Sequence, residues 1–296
     1  MKLIAATWRE ASKFMEEGRE LLLAGNSPED AIEHVICRVE DDPEEQSVGY
    51  NGFLTKEGKD ELDASFMEGR GMRIGAVAGL SGFRNPIKAA RLVMERTPHN
   101  LIVGAGANAF AAEMGLERRN NATECALSEI RARREQGVRK PGHDTVGVIA
   151  LADGHFACGL STCGFMYRMP GRVSDSALPA CGYFCDDSVG AVVCTGAGED
   201  IMRGSLASRT FFYLEQGLAA PEAALRAVRE VHSHVKGLHR IAALAVDREG
   251  RIGGAANHGE FCVSHADTEH RTAVDNIVYC FAGTDKGIPE AEELYL

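Results

Sequence analysis

The stretch from 145 to 195 holds the densest strand signal in the chain, and it limits the fold more than any other feature. Its first run, Val146 to Ala152, is almost wholly apolar and carries the β-branched Val146, Val148 and Ile149. A run of that kind bounded by Gly and Pro reads as a buried strand. Helical patterns stand on both sides of the region. One runs from Glu10 to Leu23, and a second opens at Ser27 as N-cap, with Pro28 at N1 and Asp30 at N3. "NPIKAARLVMERT" is amphipathic, and "IMRGSLASRTFFYLEQG" and "APEAALRAVREVHSHV" follow the strands. Shorter strands are predicted at Lys2 to Ala6, in "ELDASFMEG", "RIGAVAGL" and "HNLIVGAG", in the hairpin "IAALAVDREGRIGGAANHG" and in the closing "NIVYCFAG". Hairpin-paired strands with helices before and after predict an α+β layered domain.

Glu117 to Gly142 differs from its surroundings. It is rich in charge and poor in large apolar residues, and it reads as an exposed, mobile connector in which a helix has little apolar face to dock. The chain of 296 residues is 45% hydrophobic, enough for a sizeable core. A formal net charge of -11 argues against nucleic acid and anionic membrane as partners. The start, "MKLIAATWREASKF", has no signal-peptide h-region, and no window approaches a membrane span, so a cytoplasmic protein is expected. Nine cysteines, an odd number with no C-x-x-C pair among Cys158, Cys163, Cys181, Cys185 and Cys194, read as free buried thiols rather than a metal site. No cofactor is called for.

"LIVGAGANAF" matches a strand followed by Gly104-x-Gly106-x-x-Ala109, the pattern of a dinucleotide-binding turn. Its partner, a second strand ending in an acidic residue about 20 positions on, is missing, because the polar connector stands there. A Gly-rich strand-to-helix turn is the better reading; a dinucleotide-binding protein is the rival from another class.

Thr145 stands at the mouth of the first strand, after the polar turn Gly142-His143-Asp144. A threonine hydroxyl is a weak nucleophile unless a base removes its proton. Cleavage between Asp144 and Thr145 would make Thr145 an N-terminus whose own α-amine, titrating at about 7.7–8.0, could act as that base. The hydroxyl could also make the cut, attacking the Asp144 carbonyl with the Asp144 side chain as proton acceptor. Taken alone, a threonine there is far more often a turn residue.

Three further motifs follow in order: Ser161-Thr162-Cys163-Gly164, Gly171-Arg172-Val173-Ser174-Asp175-Ser176 and Thr195-Gly196-Ala197-Gly198-Glu199. Together with His143-Asp144-Thr145 they resemble the N-terminal-nucleophile (Ntn) asparaginases, and within them the glycosylasparaginases. "ATWRE" (6–10) and "SVGYNGFLTKEGKDELDASFMEG" (47–69) extend the resemblance over nearly the whole chain. It implies a four-layer αββα sandwich of two antiparallel sheets flanked by helices. It implies self-cleavage into chains 1–144 and 145–296, and a dimer of cleaved αβ units, a heterotetramer. It implies hydrolysis of the side-chain amide of GlcNAc-asparagine, with L-asparaginase or β-aspartyl (isoaspartyl) dipeptidase activity as the alternative.

The resemblance also assigns roles by position. Thr145 is the nucleophile, and Thr162 the threonine that contacts it. Thr195 and Gly196 form the oxyanion hole, a hydroxyl and a backbone N–H. Arg172 and Asp175 hold the substrate's α-carboxylate and α-ammonium, and Gly198 makes a backbone contact to the amine. Trp8 borders the pocket or is a core aromatic. Without the neighbouring motifs, Arg172 and Asp175 read as a surface ion pair. The chain departs from the family at Ser174, where Gly is usual, at Cys163, where glycosylasparaginases have Asn, and at Arg9, which replaces a proline.

Overall fold

The computed structural model describes residues 1–136, 145–259 and 261–275. The first part runs β1 (Lys2–Thr7), α1 (Ser12–Leu23), α2 (Pro28–Asp41), β2 (Leu62–Glu68), β3 (Ile74–Leu80), α3 (Pro86–Arg96), β4 (Leu101–Val103), α4 (Gly104–Glu113) and α5 (Glu124–Gln136). After the predicted cleavage point come β5 (Val146–Ala152), β6 (His155–Thr162), β7 (Tyr183–Asp186), β8 (Gly190–Gly196), α6 (Gly198–Gly204), α7 (Leu206–Glu215) and α8 (Ala220–His234). The strands β9 (Ile241–Asp247), β10 (Ile252–Ala256), β11 (Val263–Asp267) and β12 (Ala273–Asp275) follow.

Eight strands form one sheet in the order β12-β11-β1-β5-β6-β2-β3-β4, and four form a second in the order β10-β9-β8-β7. The pairs are antiparallel except for β3 with β4, which is parallel. Alternation of side chains along each strand sorts the layers. On β1, Ile4 and Ala6 pack with Met15, Ile32 and Val35 of the helices, whereas Leu3 and Ala5 pack between the sheets. On β5, Val146, Val148 and Ala150 face the helices, and Ile149 and Leu151 face the other sheet. On β8, Val192 and Cys194 meet Ile201, Phe211 and Val228 of the second helix layer, while Ala191 and Val193 turn inward. The four-layer αββα sandwich is therefore present, and the unbroken apolar run at 146–152 comes from a strand covered on both faces.

The sheets approach closely at Gly147, where a Cβ would lie 2.9 Å from Val193 Cγ2. That approach sets the start of β5 against the end of β8. The Ser27 cap forms as predicted: its hydroxyl accepts from the Asp30 N–H at 3.2 Å, and the Asp30 carboxylate accepts from the Ser27 N–H at 3.3 Å.

One sequence expectation changes, and one ambiguous motif takes its expected form. The connector carries α5, and this helix does dock: Ala126 and Ile130, four residues apart, are buried against Leu54. A two-residue apolar stripe within a charged segment is enough to hold a helix when a neighbouring loop supplies the third side chain. In "LIVGAG" the helix α4 begins directly at Gly104, and the next described element is another helix, α5. The glycines thus make a strand-to-helix turn at a sheet edge, without the second strand of a dinucleotide site. The closing segment "NIVYCFAG" lies outside the described residues. Among the described residues no helix is long and apolar enough to cross a membrane.

Candidate active site

Thr145 is buried and directly precedes β5, between β1 and β6 in the interior of the larger sheet. Its backbone is fixed from β1. The Thr7 hydroxyl donates to the Thr145 carbonyl at 2.7 Å and accepts from the Gly147 N–H at 2.9 Å. The Thr145 N–H donates to Thr195 Oγ1 at 3.1 Å, and the Trp8 indole N–H donates to the same oxygen at 2.9 Å. A hydroxyl that accepts two N–H bonds has its own proton left to donate. Thr195 is fully buried at the end of β8, one residue before Gly196, so its hydroxyl proton is available beside the Thr145 side chain.

The Thr145 hydroxyl lies 3.2 Å from Ser176 Oγ. Thr162, expected to make this contact, sits one step beyond the Val146–Ser161 pair of the β5–β6 ladder and so faces Thr145 across it. Its oxygen accepts instead from the Gly164 N–H at 2.9 Å. Ser176 lies in the Gly171–Ser176 motif, and the resemblance implies no role for it. Nothing in the sequence marks it, because its nearness to Thr145 depends on the fold of the loop.

That loop ends in a single 3-10 turn, Asp175–Ala177. Asp63 of β2 clamps it, accepting from the Ser174 N–H at 2.7 Å and from the Gly79 N–H at 2.9 Å. Ser174 has φ −82°, a value open to any residue, so a serine in place of glycine there brings no backbone strain.

Arg172 and Asp175 are not paired with each other. Arg172 is bound by Glu199 in a fork, Nε to Oε1 and Nη2 to Oε2, both at 2.9 Å, and its guanidinium lies over the Phe165 ring. Asp175 is buried, and its Oδ2 has no hydrogen-bond partner among the described residues. Burial pushes its carboxyl up to about 7, although the Arg172 charge pulls the other way. The two residues meet across Gly198, at the start of α6. A Cβ there would lie 2.6 Å from Asp175 Oδ1 and 2.7 Å from Arg172 Nη2, so a side chain would fill the space between them. A buried carboxylate lacking a cation, beside a guanidinium already oriented by another carboxylate, is suited to an ammonium and a carboxylate on one carbon.

Trp8 has φ 67°, a left-handed conformation costly for a residue of its size, of order 1–3 kcal/mol. The indole is stacked on His258 at 6.2 Å and meets Phe261 edge-on at 5.5 Å. It is partly exposed, and with Glu10, Ser47 and Val146 it lines a small recess next to Thr145. Cys163 points away from this region: its Sγ lies 3.7 Å from the Gly49 carbonyl, and burial pushes its thiol up to about 12. His143 and Asp144 lie outside the described residues.

The family model described as "Asparaginase" matches residues 2–274. An isoaspartyl peptidase/L-asparaginase of Rattus norvegicus is 39% identical over 236 residues, covering 77% of this chain and 71% of that protein. An N(4)-(β-N-acetylglucosaminyl)-L-asparaginase of Elizabethkingia miricola is 35% identical over 263 residues, 85% of this chain and 77% of that protein. An isoaspartyl peptidase of Escherichia coli (strain K12) is 35% identical over 257 residues, 81% and 79% of the two chains.

Proposed function

Because the chain belongs to the asparaginase family, an amidohydrolase family of asparagine-type substrates, we propose that it cleaves itself before Thr145 and then hydrolyses β-aspartyl amides with that threonine as nucleophile. The observation that carries the reading is the unpartnered Oδ2 of Asp175 next to the tethered Arg172. The substrate's α-ammonium pairs with Asp175 and its α-carboxylate with the remaining N–H groups of Arg172. The Gly198 backbone leaves room for both. The aspartyl side-chain carbonyl then points at Thr145.

Removal of residues 1–144 from the Thr145 nitrogen leaves a free amine next to its own hydroxyl. The amine takes the hydroxyl proton, and the oxygen attacks the amide carbon. The Thr195 hydroxyl and the Gly196 N–H receive the developing negative charge. The amine returns the proton to the leaving nitrogen, and water then hydrolyses the β-aspartyl ester. Thr162 and Ser176 keep the Thr145 side chain aligned. Chains 1–144 and 145–296 stay together as one domain, and two such units form the assembly.

The leaving group we assign is the glycosylamine of GlcNAc-asparagine. Trp8 supports this: its partly exposed indole is tied to Thr195 beside Thr145, where an aromatic ring can pack against a sugar. A second reading, release of an amino acid from a β-aspartyl dipeptide or of ammonia from asparagine, is favoured by relatives with those names at 39% identity. Mass spectrometry tests the first part, with chains of 144 and 152 residues expected from 296. Thr145→Ala should remain one chain and be inactive; an uncut wild type with full activity would sink the mechanism. Comparing kcat/KM for the three substrates on one cleaved preparation tests the second. A dipeptide ahead by tenfold or more would move the enzyme to the second reading with the catalytic roles unchanged.

A further inference from the structure

At the opposite end of β6 from Thr162, roughly 23 Å away for seven residues of strand, lies a second polar cluster that the reaction does not use. His155, the first residue of β6, is held on both sides of its ring. Its Nε2 lies 2.8 Å from Glu29 Oε1, and its Nδ1 lies 3.0 Å from Asp187 Oδ2. Glu68, the last residue of β2, completes the group: one ligand atom each from Glu29, Glu68 and His155 lie within 4.8 Å of one another. The three side chains come from a helix and two strands and are largely buried, at 13%, 7% and 11% exposure.

We propose that His155 Nε2, Glu29 and Glu68 form a divalent-metal site, suited to zinc or a similar ion that takes mixed nitrogen and carboxylate ligands. The orientation of the imidazole is the argument. Asp187 accepts the Phe156 N–H at 2.8 Å, which fixes its carboxylate against Nδ1. A carboxylate on one ring nitrogen places the proton there and leaves the other nitrogen as the ligand, the arrangement that orients metal-bound histidines. That nitrogen is Nε2, now 2.8 Å from Glu29 Oε1 and facing Glu68, so the metal takes the place of the proton shared with Glu29. Both bonds that Glu68 receives, from Gly71 N–H and Arg73 Nε, fall on Oε1, which leaves its second oxygen for a cation. Three carboxylates stand against Arg73 and the imidazole, so the cluster keeps a negative excess even with the ring protonated. Three protein ligands with a water in the fourth place make an ordinary tetrahedral zinc site. The sequence gives no hint of it, since the ligands lie at 29, 68 and 155 with no motif spacing.

The test uses chelator-treated full-length protein kept reduced, titrated with zinc chloride by calorimetry, with bound metal counted by elemental analysis. About one equivalent per chain should bind and raise the melting temperature. His155→Gln should weaken binding at least tenfold, and Asp187→Asn, which touches no metal, by about 10–100-fold. Glu29→Gln, an isosteric change in the first turn of α2, serves if His155→Gln does not fold. Absence of stoichiometric uptake by the wild type, or uptake unchanged in Glu29→Gln, overturns the site. The proposal does not depend on Thr145 chemistry, and turnover should be the same in wild type and Glu29→Gln.

Discussion

Asp175 is a carboxylate placed where its own charge is costly until a cation arrives. With its carboxyl pushed up to about 7 by burial, it takes up a proton as pH falls through that value and can no longer pair with an ammonium. We expect kcat/KM to fall on the acid side of about pH 7. Asp175→Asn should remove that part of the limb and raise KM, leaving in kcat the limb set by the Thr145 amine. An acid limb unchanged in both parameters would separate Asp175 from substrate binding. Gly198→Ala makes the same point by volume. Its methyl enters the gap between Asp175 and Arg172, and losing one charge-assisted bond of roughly 1.5–3 kcal/mol should lower kcat/KM at least tenfold. Steady-state kinetics on the folded variant checks it. At this scale the sequence named Thr145, Thr195, Arg172 and Asp175 because each sits inside a short motif. It did not assign roles to Thr7, Ser176 or Glu199, whose contacts join β1, the 3-10 turn and α6 across long separations.

At the scale of elements, Glu40 ties three together near the end of α2. Its carboxylate accepts from the Ile87 N–H of α3 at 3.0 Å, the Ser161 hydroxyl of β6 at 2.7 Å and the Asn85 amide at 3.1 Å. Burial nonetheless pushes it up to about 8. The folded state therefore holds a proton on Glu40 that the unfolded chain has released above its ordinary value near 4. Stability from this group is present in full below about pH 4 and is lost as pH rises toward about 8. Asp175 acts in the same direction up to about 7. Denaturant unfolding followed from pH 5 to 8 should show this loss, and Glu40→Gln should flatten it; an equally steep slope in the variant would contradict the assignment. The elements themselves were largely legible. The Ser27 cap and the short continuous apolar runs of β1, β5 and β8 are local patterns. The docking of α5 was not, because Ala126 and Ile130 need Leu54, which lies more than 70 positions away in the chain.

For the whole molecule, the residue patterns gave an α+β layered domain, the family resemblance gave the αββα order of layers, and the order of strands could be read from neither. Hairpins such as β9–β10 are neighbours along the chain, but β1 lies between β11 and β5, and β2 lies against β6. These placements come from satisfying both faces of two sheets at once. They have a consequence once the bond before Thr145 is cut. Strands of the first piece then interleave with strands of the second inside the larger sheet, so neither piece retains that sheet whole, and the smaller sheet loses the layer it packs against. The intact chain should refold by first-order kinetics at any dilution. The cut protein, once unfolded, should recover by a second-order process that slows in proportion as the solution is diluted. Refolding yields of Thr145→Ala and of processed wild type across a hundredfold range of concentration would show the difference. Equal, concentration-independent recovery would mean that each half carries its own folding information. Otherwise cleavage acts as a ratchet: the protein passes once through the folding reaction encoded by the uncut chain, and the processed enzyme lasts only as long as that first fold survives.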